Sequence, residues 1–175
     1  PSGRLPLTVP RSVGQLQMVY NHKPTAYIHK YNTEKKVPLH PFGFGLSYST
    51  FKISEPTVSK ATLSSIDDEI LVNVTVKNMS NVDGEEVVQM YVRDNISSFT
   101  RPVKELKGYK RVFVKAGEAK TVTIPVTAES LAMYDADYNF VVEPGDFTIM
   151  TGNSSADKAL KKTTISVTEK IILNK

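Results

Sequence analysis

The sequence has no cysteine and no tryptophan. Without thiols there is no disulfide framework, cysteine nucleophile, thiolate zinc site or iron–sulfur cluster, and the redox compartment is left open. Without Trp the chain lacks the broadest platform for stacking on sugar rings, which weighs against a dedicated carbohydrate-binding face. Long apolar runs are missing too, since no stretch of about 18 residues could span a bilayer. Histidine is scarce: His22, His29 and His40 are the only three, and no pair has the i, i+4 or i, i+2 spacing of metal ligands. They are read as surface or packing residues. There is no Gly-x-Ser-x-Gly elbow and no glycine-rich phosphate loop. Gly43-Phe44-Gly45, flanked by aromatics, reads as backbone packed closely under Phe42 and Phe44. No metal and no cofactor is implied.

What is present suits a globular domain. The 175 residues, 40% hydrophobic and 23% charged, fit one domain plus some extra chain. A chain of this size buries roughly 70% of its unfolded surface. The net charge of +4 is unevenly spread: residues 1–52 hold seven Lys+Arg against one acid, and residues 53–175 hold fifteen against seventeen. The basic character therefore belongs to the lead-in, which is expected to lie against an acidic surface elsewhere in the protein. The densest basic run, Arg101 to Arg111, is interrupted by Glu105 and carries a single aromatic. It reads as a strand edge guarded by Lys, and neither a nucleic-acid nor a membrane partner is expected.

Five of the ten prolines (Pro1, Pro6, Pro10, Pro24, Pro38) fall before residue 40, with Pro41 next. That density forbids long helices and central strands. The stretch from Pro1 to about Pro41 therefore reads as an extended strap whose short apolar pieces must dock on something outside themselves. From Ser47 the pattern has period two. Val72, Val74 and Val76 alternate with Asn73, Thr75 and Lys77, and Val88, Met90 and Val92 alternate with Gln89, Tyr91 and Arg93. Further strands are expected at 106–114, 121–126, 140–143, 146–151 and 163–167, with one helical turn at 128–132. Turn chemistry separates them at Asn81-Val82-Asp83-Gly84, Ala116-Gly117-Glu118, Glu143-Pro144-Gly145-Asp146 and Gly152-Asn153-Ser154. About seven short strands over roughly 120 residues predict an all-β, immunoglobulin or fibronectin type III-like antiparallel β-sandwich rather than an up-and-down barrel. The long connection from Asp94 to Pro102 is taken to favour a Greek-key crossing.

The acidic groups Asp67-Asp68-Glu69, Asp83 with Glu85 and Glu86, and Asp135 with Asp137 all sit at expected turns. There, solvated or capping roles outweigh paired-carboxylate or calcium chemistry. Four Asn-x-Ser/Thr acceptors, at Asn73, Asn78, Asn95 and Asn153, matter only in a secretory eukaryotic source.

Several phrases together resemble one family. Residues 38–51, Pro-Leu-His-Pro-Phe-Gly-Phe-Gly-Leu-Ser-Tyr-Ser-Thr-Phe, resemble the lead-in to the fibronectin type III-like domain of glycoside hydrolase family 3. Pro1-Ser2-Gly3-Arg4-Leu5-Pro6 and Pro10-Arg11-Ser12-Val13-Gly14-Gln15 resemble the end of that family's preceding α/β sandwich domain, and Tyr20 to Thr25 the phrase that follows. Residues 86–92, 101–109 and 142–147 complete the set. Three positions depart from the family pattern: His40 stands for an aromatic, Ala26 for a Gly and Phe140 for a common Trp.

The resemblance implies the C-terminal, non-catalytic part of a retaining, exo-acting β-glucosidase that removes terminal non-reducing β-D-glucosyl residues in carbohydrate catabolism. A β-xylosidase or β-N-acetylglucosaminidase of the same family, or a stand-alone carbohydrate-binding sandwich module, is the alternative. It further implies a periplasmic or secreted location. The expected divisions are residues 1–20 as the end of the α/β sandwich domain, 21–46 as a linker strap and 47–175 as the fibronectin-like domain. No catalytic residue is carried over, because the nucleophilic Asp and acid/base Glu are expected upstream of Pro1. The expected partners are the catalytic N-terminal portion of the same enzyme and, through it, a β-glucoside or oligosaccharide substrate. The segment from Asn21 to Lys36 is long, polar and aromatic, and His22, Lys23 and Tyr31 are the candidates for its cleft-rim contacts.

Overall fold

A computed structural model describes residues 1–15, 18–24 and 35–173. In chain order the elements are β1 (Phe51–Ile53), β2 (Thr57–Val58), β3 (Thr62–Leu63), β4 (Glu69–Asn78), β5 (Gly84–Asp94), β6 (Glu105–Val114), β7 (Ala119–Thr127), the single-turn α1 (Ala128–Leu131), β8 (Met133–Tyr134), β9 (Phe140–Val142), β10 (Gly145–Gly152), β11 (Lys161–Val167) and β12 (Ile171–Ile172). In β4 and β7 β-branched residues recur at every second position, which suits a pleated, half-buried surface. Two sheets face each other. In one, β4 pairs antiparallel with β7 on one side and with β1 and β2 on the other; the second runs β3-β11-β10-β5-β6. A small third sheet, β12-β9-β8, closes one end. The first strands switch sheets, since β1 and β2 pair with β4 whereas β3 runs parallel to β11.

The core lies between the sheets. Val72, Val74 and Val76 of β4, Val122, Ile124 and Val126 of β7, Val88 and Met90 of β5, Ile149 of β10 and Ile165 of β11 form one buried cluster with Leu63, Leu131 and Phe147. Burying each such side chain contributes about 1.5–3 kcal/mol. Gly108 sets how closely β6 approaches β7, because a Cβ there would lie 2.6 Å from Ile124 Cγ2. At that point a bulge shifts the β5–β6 register between Met90 and Tyr91. The buried Asn78 fastens one end: its amide donates to the carbonyls of Val82 (2.8 Å) and Val114 (3.1 Å), and its Oδ1 accepts from Ser80. With both amide donors engaged, this acceptor is closed to modification, unlike the exposed Asn95.

Two expectations need correction. The connection after Asp94 joins β5 to its own neighbour β6, so it is a long hairpin loop and makes no crossing. The chain crosses between the two large sheets at the β2–β3, β3–β4, β4–β5, β6–β7 and β7–β10 passages. Gln89 and Tyr91 do not face solvent: β5 is buried on both faces over Glu86–Val92. The cover on its outer face is the amino-terminal segment.

Candidate functional site

Residues 1–9 and 39–44 run side by side as an irregular ribbon. Leu5 N–H donates to Phe44 C=O (2.9 Å), Gly43 N–H to Leu5 C=O (2.8 Å) and Val9 N–H to His40 C=O (2.8 Å). Proline spacing keeps this ribbon from becoming a regular strand pair. Gln15, itself buried, braces it by accepting from Arg11 N–H (2.6 Å) and donating to Lys35 C=O (2.7 Å). The strap's apolar pieces therefore dock partly within the chain. Tyr20 stacks on Phe42 (4.2 Å between centroids) and meets Tyr91 edge-on (5.7 Å), over Met150, Leu160 and Leu106.

Polar groups lock the ribbon to β5. Gln89 donates its amide to the carbonyls of Gly43 and Asn153, both at 3.0 Å, and accepts from Tyr91 Oη (2.5 Å). Gly43 has φ +78°, and a Cβ there would fall 2.0 Å from Gln89 Oε1, so only glycine fits. The tight backbone foreseen around Gly43 is thus set by Gln89. Arg4 pairs with the buried Glu86, which also accepts from Val87 N–H, and Ser2 Oγ donates to Glu85 (3.0 Å). Arg4 consequently spends its charge inside the chain, and among the described residues the other cations of the lead-in are Arg11, Lys23, Lys35, Lys36 and Lys52.

Of the three rim candidates, His22 and Lys23 lie together just after Tyr20. His22 Nδ1 faces Lys23 C=O at 2.8 Å, and its own carbonyl accepts from Val103 N–H at 2.9 Å. Tyr31 lies outside the described residues, as does His29. His40 stacks on Phe44 (4.6 Å), which makes it a packing residue.

The acidic clusters are structural fasteners. Hydrogen bonds from Lys60 and Ser64 hold the Asp68 carboxyl down at about 2. The Lys170 hydrogen bond likewise keeps Asp135 below its usual range, while its Oδ1 accepts the N–H groups of Asp137 and Asn139. Asp83 caps the β6–β7 turn by accepting from Ala116 N–H (2.8 Å). Burial works to raise Glu143, but hydrogen bonds from Ser98 N–H and from the Ser98 and Ser97 hydroxyls outweigh it and leave the group lowered. Among the described carboxylates Asp94 is raised, because burial exceeds the pull of Arg101 at 3.4 Å. Asp83 and Glu85 line one surface hollow with Ser2, Ser47 and Ser49, where Glu85 accepts from the Ser2 hydroxyl. Sequence reasoning missed Tyr20, Phe42, Gln89 and Tyr91 as one assembly; the available signal was the apolar density of β5, where Gln89 alone interrupts Val87 to Val92.

On and beside the ribbon Leu7, Val13, Val37, Leu39, Leu46 and Tyr48 are exposed, Val13 at 96% and Tyr48 at 86%, and the sandwich exposes Ile96, Tyr109 and Tyr138 as well.

Residues 86–155 match the model of the fibronectin type III-like domain. A periplasmic β-glucosidase of Salmonella typhimurium is 40% identical over 166 residues, covering 89% of this chain and 22% of the relative. A putative β-xylosidase of Formosa agariphila is 44% identical over 167 residues, again 22% of that protein. The solved structure of a β-glucosidase from Erythrobacter marinus superposes with a TM-score of 0.88 at 40% identity, covering 95% of this chain and 22% of the other. The chain belongs with the family 3 glycoside hydrolases, as their fibronectin type III-like portion. It spans under a quarter of the length of the relatives it matches. The same portion of the chain is similar to a β-glucosidase and to a putative β-xylosidase alike.

Proposed function

We propose that this chain is the non-catalytic buttress of a retaining, exo-acting β-glucosidase, joined to the catalytic portion through the exposed apolar side chains of the lead-in. The observation that carries the reading is the similarity of nearly the whole chain to one portion of much longer β-glucosidases, beside which Leu7, Val13, Val37, Leu39, Leu46 and Tyr48 of the lead-in offer exposed apolar side chains for docking. In the assembled enzyme the catalytic portion supplies an Asp nucleophile and a Glu acid/base, which form and then hydrolyse a glycosyl-enzyme intermediate. The chain supplies surface, orientation and exclusion of water. We place residues 1–20 with the preceding α/β sandwich domain, residues 21–46 as the strap, and His22, Lys23 and Tyr31 along the cleft rim.

Mixing this chain with the separately produced remainder of the enzyme should restore hydrolysis of a chromogenic β-glucoside that neither part cleaves alone. Absence of association would refute the reading. A β-xylosidase is the second reading, favoured by the 44% identity to the Formosa protein. A β-xyloside turned over faster than the β-glucoside by the same mixture would establish it.

A further inference from the structure

The basic run from Arg101 leaves two cations that no sheet-edge role explains. Arg101 and Lys104 point inward, with side chains only 12% and 9% exposed. The Arg101 fork donates to Leu131 C=O (2.7 Å), to Asp94 (3.4 Å) and to Glu105 (3.2 Å). Lys104 Nζ donates to Ser155 C=O (2.7 Å) and Asp157 (2.5 Å). Burying several charges is a costly way to close a hairpin, since desolvation offsets much of the Coulomb gain. A hairpin also needs far fewer than the residues between Asp94 and Glu105. What the arrangement achieves is a rigid corner.

That corner grips the strap. Val103 N–H donates to His22 C=O (2.9 Å), Leu106 N–H to Tyr20 Oη (3.2 Å), and Pro24 lines a hollow of about 300 Å³ with the loop residues 93–103. Ser155, held through its carbonyl by Lys104, donates its N–H to Phe42 C=O (2.9 Å) on the ribbon. The same buried cations thus fix the chain at Tyr20–Pro24 and at Phe42, on either side of the segment 25–34.

We propose that the corner formed by residues 94–106 is a positioning device for the strap at Tyr20–Pro24, with Arg101 and Lys104 as positioning residues. Through it the sandwich sets which leaving groups the assembled enzyme accepts, without touching the substrate. This rests on the reading above that the segment from His22 borders the cleft.

The test uses the full-length enzyme with Arg101→Met, Arg101→Lys and, as a second route should the first fail to fold, Lys104→Met. Hydrogen exchange at the Val103 and Leu106 amides reports the grip, expected to loosen about tenfold in Arg101→Met. Michaelis constants for cellobiose and for an activated aryl β-glucoside report its consequence. The expected result is a KM for cellobiose raised about fivefold, a nearly unchanged kcat on the aryl glucoside, and intermediate behaviour for Arg101→Lys. Unchanged exchange would overturn the grip itself. Faster exchange with both Michaelis constants unchanged would overturn the link to leaving-group choice. Tyr31→Ala separates the two readings: if it raises KM while Arg101→Met does not, the positioning role alone falls, and if neither does, the rim reading falls with it.

Discussion

The two outer faces of the sandwich are built to opposite rules. On β4 every second residue is buried and the alternate ones, Asn73, Thr75 and Lys77 among them, meet solvent; there Thr75 and Thr121 face each other at 3.2 Å and Asn73 accepts from Thr123 at 2.7 Å. On β5 burial is continuous from Glu86 to Val92, because Tyr20, Phe42 and Gly43 cover the second face. One face meets solvent in this chain. The other carries the ribbon as a covering layer. The difference shows that the lead-in packs against the sandwich on the β5 side and not on the β4 side.

The largest effect is expected from removing the ring that joins these layers. Tyr91→Ala should cost about 3–5 kcal/mol in urea unfolding, as buried aromatic truncations do. Arg4→Met leaves Glu86 buried with its countercharge gone and should cost about 3 kcal/mol. A hydrophobic residue restoring stability when placed at Glu86 in the same variant would confirm that cause. Gly43→Ala forces a Cβ into Gln89 at positive φ, a strain of about 1–3 kcal/mol, and limited proteolysis should then cut the ribbon while leaving the β4 side intact. On the open face, Thr75→Ala should stay within about 0.5 kcal/mol. A comparable loss there would erase the contrast between the faces.

Acid should act through the turn carboxylates rather than through either face. Asp68, Asp135 and Glu143 are held below their ordinary values, so the stability they add is present above about pH 4 and is lost as pH falls through their folded values, for Asp68 about 2. Asp94, raised by burial, works in the opposite sense: its contribution is present at low pH and is lost as pH rises through its folded value. Urea midpoints between pH 6 and pH 2 should therefore fall less steeply in Asp68→Asn, and more steeply in Asp94→Asn.

Period-two patterning made the core legible, because Val72, Val74 and Val76 or Val122, Ile124 and Val126 have one dry face whatever surrounds them. The same rule misread Gln89 and Tyr91: a polar or amphipathic residue on the outer face looks solvated until the covering layer is known. Short elements such as β2, β3 and β12 span two residues each and carry no period at all. Arg101 and Lys104 were opaque for a related reason, since a cation in a basic run gives no sign of which carbonyl it will find. His40, read as a surface or packing residue from the histidine spacing, stacks on Phe44, and Asp68, read as a turn residue, accepts from Ser64 N–H, so local chemistry was the better guide at these two positions.

The most direct test of the two-faced account is a hydrogen-exchange footprint of this chain with and without the remainder of the enzyme. Association is predicted to protect backbone amides within residues 5–13 and 37–48 and to leave those of β4 and β7 unchanged. Protection confined to β4 and β7, or none in the ribbon, would contradict it.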